Sequence, residues 1–123
     1  MKLTKNFNLS EFACKDGTQV PFELTPNAIE LAKNLQVLRD HIGIPLHINS
    51  AYRTEVYNKK IGGSPKSQHK LAKAADLRTD KHTPKQLAAI ILKLIKEGKM
   101  KQGGVGVYPT FTHYDIRNTA ARW

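Results

Sequence analysis

The chain has 123 residues, 40% of them hydrophobic and 24% charged; this suits one globular domain with its own core, and no apolar run is long enough to span a membrane. A net charge of +10 favours polyanionic partners such as nucleic acid or the phosphate and carboxylate polymers of a bacterial envelope, but the aromatics are sparse and not interleaved with Lys and Arg, which argues against base stacking. Cys14 is alone, which excludes an internal disulfide and a cysteine-rich zinc site and leaves a buried or incidental thiol.

In chain order, Asn8 is a plausible cap for a short helical turn over residues 9–14, and Lys15-Asp16-Gly17 ends it. Thr25-Pro26 reads as a helix start, Thr at the cap and Pro at the first helical position. Apolar Ile29, Leu31, Ala32, Leu35, Val37 and Leu38 recur at helical intervals to about His41, and Gly43 and Pro45 close the helix. Residues 46–50 alternate as a strand, and a short helix follows over residues 54–60. Ile61-Gly62-Gly63-Ser64-Pro65-Lys66 is a turn, and a second strand covers about residues 74–78.

Thr83-Pro84-Lys85-Gln86 is a capping-box pattern that opens a helix to about Lys96. Gly103–Tyr108 reads as a strand whose glycines admit a close approach of backbone or ligand, and Phe111–Arg117 as the last strand, hairpin-paired with it. Together these predict a single α+β domain, residues 1–123, with a small, largely antiparallel sheet and flanking helices.

Chemistry concentrates in two places. His69 and Asp76 lie seven residues apart after the Gly/Pro/Ser turn, and both are acceptable zinc ligands. A straight helix separates such residues by roughly 10 Å, and a straight strand by about 23 Å. Sharing an ion therefore demands a bend, near Ala72-Lys73. His113 and Asp115 are two apart on a strand and share one face. A His/Asp/His set with an open fourth position is the pattern of a hydrolytic site.

Asp115 has three open roles: proton shuttle for a water, a hydrogen bond that holds a metal-bound imidazole from behind, or partner of Arg53 or Arg117. Arg53 either pairs with Asp40 or Glu55 or grips a substrate carboxylate or carbonyl. Ser67 and Gln68 flank His69 and either orient it or donate to substrate. His41, His47 and His82 have no comparable partners and read as structural.

Ser67-x-His69-x6-Asp76 resembles the SxHxxGxAxD motif of the zinc-dependent peptidoglycan peptidases related to D-Ala-D-Ala carboxypeptidases, peptidase family M15. The likeness extends in order through Leu9-Ser10-Glu11-Phe12, Ser50-Ala51-Tyr52-Arg53-Thr54, Gly104–Tyr108 and His113–Arg117. It looks closest to a small subgroup of bacterial and phage cell-wall proteins.

The resemblance implies the fold shared with lysostaphin-type enzymes and the hedgehog domain. It implies Zn²⁺ held by His69, Asp76 and His113, Arg53 on the substrate side, and cleavage of peptidoglycan stem or cross-link peptides. Two positions depart from the family pattern. The motif glycine is Ala72, which serves there only with negative φ. Where many relatives carry an acid three residues before the last ligand or a His two before it, this chain has Thr110 and Phe111, which leaves Asp115 as the expected proton shuttle.

The leading expectation is a monomeric zinc peptidase with Arg53, Ser67 and Gln68 on the substrate. The runner-up is a zinc-containing cell-wall-binding domain of the same fold. No apolar signal stretch opens the chain, so synthesis in the cytoplasm and action at the wall, as of a phage or prophage product, is expected.

Overall fold

A computed structural model describes residues 1–123. Three helices, α1 (Thr25–Ile42), α2 (Glu55–Lys60) and α3 (Pro84–Lys96), accompany strands β1 (His47–Ser50), β2 (Ala74–Arg78), β3 (Gly104–Val107), β4 (Thr112–Asp115) and β5 (Ala121–Arg122). The sheet order is β1-β2-β4-β3-β5. The first four strands are antiparallel to their neighbours, and β5 joins β3 in parallel. The expected α+β architecture, with a largely antiparallel sheet, is present.

Period-two alternation divides the sheet into two chemically different faces. Ala75, Leu77, Val105 and Tyr114 lie on the face that joins the core with Leu31, Leu35 and Leu38 of α1 and Leu87, Ile91 and Leu94 of α3. Tyr114 is fully buried, and its hydroxyl donates to the Lys101 carbonyl at 2.7 Å. Asp76, His113 and Asp115 project from the opposite face, where the register sets Asp76 directly across from His113.

The helix ends follow local chemistry, with one correction. At α3 the Thr83 hydroxyl accepts from the Gln86 amide at 3.1 Å, and the Gln86 side chain accepts from the Thr83 amide at 2.9 Å. At α1, Gly43 adopts φ 69° and donates its amide to the Arg39 carbonyl. Thr25, however, is not the cap. A 3-10 turn over Phe22–Leu24 runs straight into α1, so backbone carbonyls already accept from the Leu24 and Thr25 amides. The Thr25 hydroxyl instead donates to the Pro21 carbonyl at 3.2 Å.

The segment between His69 and Asp76 bends as their spacing requires. His69 sits on a 3-10 turn, Gln68–Leu71, and Ala72 ends that turn with φ 57° and ψ 30°. The expected negative φ is overturned. Ala72 is 2% exposed, and the turn is closed by its amide on the His69 carbonyl and by Lys73's on the Gln68 carbonyl, both at 3.2 Å. Only a left-handed residue reverses the chain in so short a space. For alanine that conformation costs about 1–2 kcal/mol.

A two-residue strand, β5, was absent from the expected elements. It is held by the Val107 amide on the Trp123 carbonyl at 2.8 Å and the Trp123 amide on the Val105 carbonyl at 3.2 Å. Arg122 adds a side-chain bond to the Gly103 carbonyl at 2.6 Å. The glycines of β3 make this docking possible. A Cβ at Gly104 would overlap the Asp115 carboxylate, and one at Gly106 would overlap the Trp123 indole.

The strain at Ala72 is measurable. Ala72→Gly and Ala75→Gly each delete a buried methyl group, but only the first relieves a left-handed alanine. Ala72→Gly is expected to cost about 1 kcal/mol less than Ala75→Gly in urea unfolding. Equal losses would show that the turn stores no strain.

Candidate metal centre

The left-handed turn at Ala72 folds the chain back so that His69 faces the middle of β2, where Asp76 lies. Pairing of β2 with β4 then supplies His113 from the neighbouring strand. Asp76 Oδ1 lies 3.2 Å from His69 Nε2 and 3.1 Å from His113 Nδ1. One ligand atom from each of the three residues falls within 4.8 Å of the others, and all three residues are buried.

The outward sides of the two imidazoles are also engaged. His69 Nδ1 is 2.6 Å from the Ala51 carbonyl, and His113 Nε2 is 2.7 Å from Asp115 Oδ2. A carbonyl can only accept, so His69 carries its proton on Nδ1 and turns the lone pair of Nε2 inward. The same reasoning leaves the His113 Nδ1 lone pair inward if Asp115 is ionised. A neutral imidazole has one N–H, and each ring has an acceptor on both sides. A cation placed where the two inward lone pairs and Asp76 converge would satisfy all three groups at once. The donor set therefore fits a divalent metal such as zinc, with carboxylate and carbonyl fixing each tautomer from behind.

Two arginines back the two carboxylates. Arg53 donates from Nε to Ser50 Oγ at 3.2 Å, from Nη1 to Asn58 Oδ1 at 3.3 Å and from Nη2 to Asp76 Oδ2 at 3.1 Å. It pairs with neither Asp40 nor Glu55. Arg117 donates from Nε and Nη2 to the two oxygens of Asp115 at 2.9 and 2.7 Å. Burial pushes the Asp76 carboxyl up, but hydrogen bonds and charge from His113 and His69 outweigh it and hold it well below the usual range. The same opposition acts on Asp115, where bonds from His113, Arg117 and the Gly104 amide win. On His113 burial acts downward, and bonds to Asp115 and Asp76 carry its pKa above the ordinary value.

Arg53, Ser67, Gln68, His69, Asp76 and His113 line one cavity of about 440 Å³. The Ser67 hydroxyl accepts from the His69 amide at 3.2 Å and so shapes the turn that carries the imidazole. Asp115 is not among the lining residues. It lies behind His113 with 0% exposure, and its oxygens receive His113, the Gly104 amide, the Arg117 amide and the Arg117 guanidinium. The carboxylate thus touches the groove only through His113 and Arg117, which line it.

One wall of the cavity is aromatic and lies outside the residues expected to form the site. Tyr108 and Phe111 stack with centroids 4.5 Å apart, and the Trp123 indole lies 4.9 Å from the His113 ring. Trp123 Nε1 donates to the Tyr108 hydroxyl at 2.7 Å, and the Arg117 guanidinium sits 5.4 Å above the indole. The usable signal was the Gly104/Gly106 alternation. Two absent side chains on one sheet face announce that something bulky lies over it.

A family model described as Peptidase M15 matches residues 5–115, nine-tenths of the chain and all three candidate ligands. The chain belongs to the peptidase M15 family. No curated protein matches it. The match carries the M15 assignment through Asp115, while Arg117 and Trp123 lie beyond it.

Trp123 is the single tryptophan, so its emission reports directly on His113. Zinc added to metal-free protein is expected to change that emission and to saturate at one ion per chain. His69→Ala is expected to abolish the stoichiometric step, since two remaining ligands do not close the set. An unchanged titration in that variant would remove His69 from it.

Proposed function

We propose that the chain is a zinc peptidase that hydrolyses D-amino-acid-containing peptide bonds in the stem or cross-link peptides of bacterial peptidoglycan. One observation carries this reading. In a chain of the M15 family, His69, Asp76 and His113 converge at the floor of a groove with their outer sides already bonded. Such a pre-arranged set costs little reorganisation when a cation and a substrate arrive. The net charge of +10 suits approach to anionic wall polymers, and a phage or prophage product acting at the wall fits the same picture.

Zinc at this set would polarise the scissile carbonyl and acidify a water. The remaining work falls to the chain's own residues. Arg53 holds Asp76 in one rotamer through three anchored nitrogens and keeps donors to spare at the cavity wall, where a carbonyl or carboxylate can be met. Ser67 and Gln68 line the same wall and are assigned to substrate contact. Asp115 is assigned to positioning His113, because a carboxylate with 0% exposure and four protein partners has no path to a water in the groove.

One observation favours a second reading, a metal-retaining domain that binds wall peptides without cutting them. Asp76 is the only carboxylate lining the groove, and no imidazole lines it beyond His69 and His113. A water proton has no dedicated acceptor there.

Incubation with purified peptidoglycan separates the two. New amino groups are expected to appear with zinc and to vanish in His69→Ala. Co-sedimentation with peptidoglycan of several wall types without new amines would put the binding domain first. Asp115→Asn is expected to weaken zinc affinity about 10–100-fold, with cleavage recovered at saturating zinc. Cleavage that stays lost at saturating zinc, measured by the same amine count, would return the proton-shuttle role to Asp115.

A further inference from the structure

Arg117 stands apart from the other cations of the groove in how it is held. Its Nε and Nη2 are fixed on Asp115, and its Cζ lies 5.4 Å from the centroid of the Trp123 ring. The planar head is thus immobilised on one edge and supported on one face. Nη1 donates to nothing in the chain, although the residue lines the cavity and its side chain is 30% exposed. Arg53 differs. All three of its nitrogens are engaged and its side chain is 14% exposed.

The chemistry around Arg117 points the same way. Lys66, the third cation of the groove, makes no ion pair, and Asp76 is the single lining carboxylate, already committed to Arg53, His69 and His113. An anion entering the groove therefore meets Lys66 and the unused Nη1 of Arg117, while the one carboxylate beside Arg117, Asp115, is buried and occupies only Nε and Nη2. A guanidinium pays little entropy to bind when its rotamer is set beforehand, and its unused nitrogen then donates to a carboxylate oxygen by a charge-assisted bond.

We propose that Arg117, held by Asp115 and seated on Trp123, is a specificity-determining residue that recognises a carboxylate of the peptide in the groove. The inference rests on the reading of this groove as a peptide site. It assigns to Asp115 a double load, because the carboxylate that turns His113 toward the metal position also aims Arg117. Recognition and the metal centre are thereby geared to one buried group.

The test uses the full chain, zinc-loaded and metal-free in parallel. The probes are the synthetic peptide L-Ala-D-iso-Glu-L-Lys-D-Ala-D-Ala and two derivatives, one amidated at its C-terminus and one at the α-carboxylate of iso-glutamate. Binding is read by calorimetry, and cleavage separately by new amines. One of the two amidations is expected to weaken binding to the unaltered protein about tenfold or more. Arg117→Gln is expected to bind that amidated peptide and its parent equally. Equal affinity of the unaltered protein for all three peptides would overturn the proposal, as would an Arg117→Gln variant that keeps the preference. The preference is read from binding, so it stands or fails independently of whether any peptide is cut.

Discussion

The buried carboxylate of Asp115 is the constraint on which the site depends. A charge with 0% exposure is tolerated only when every lone pair is met, and here four groups meet them: the His113 ring, two backbone amides and a guanidinium. Each partner belongs to a different task. The Gly104 amide ties β4 to β3, the His113 ring is aimed at Asp76, and Arg117 is carried to the rim of the groove. Replacing this carboxylate with an apolar group would leave all four groups without their acceptor, a loss larger than that of any one bond. Gly104 is part of the same device, because only a residue without Cβ lets its amide reach the carboxylate.

A second chain of bonds secures Asp76. Arg53 reaches it across Ser50 and Asn58, and Asn58 is 3% exposed with its amide nitrogen on the Ser64 carbonyl at 2.8 Å. The Gly62–Ser64 turn is therefore fastened to a candidate ligand through one asparagine and one arginine. A Cβ at Gly63 would overlap the Asn58 side chain, which explains the second glycine of the pair. Each carboxylate thus has its own arginine behind it. The floor balances two negative charges with two positive ones before any cation or substrate is counted, and that balance lets four ionised groups sit together in a poorly hydrated place.

What could be read from the sequence divides along physical lines. The spacing of His69 and Asp76 required a bend, and the bend stands where it was expected. The sign of φ at Ala72 was not legible, because alanine prefers right-handed backbone and only the surrounding hydrogen bonds reverse that preference. Strand alternation put His113 and Asp115 on one face. It could not say which of them looks into the groove, since that depends on β3 and β5 closing over the far side of β4. Strand β5 itself was invisible: two residues carry no period, and its order comes from bonds to Gly103, Val105 and Val107 far back in the chain. Thr25 looked like a cap because its neighbour is Pro26. The 3-10 turn that makes a cap redundant has no comparably strong residue signal.

The aromatic wall bears on how the groove can work. Phe111 and Tyr108 are stacked in the β3–β4 connection, and Trp123 leans on the His113 ring that Asp115 holds from its other nitrogen. Phe111 occupies the position two residues before the last ligand, where many of the proteins this chain resembles carry an imidazole. Stacking on Tyr108 gives that position an apolar duty in place of an acid–base one. The groove consequently combines a ligand set at its floor, a flat apolar wall, and two fixed guanidinium groups in its lining. These are elements of tight and selective peptide recognition. Proton transfer is the function for which the lining offers least. Binding energy and the cation must then supply most of the rate, and selectivity for the peptide's charge enters the chemical step only as far as the contacts to that charge strengthen in the transition state.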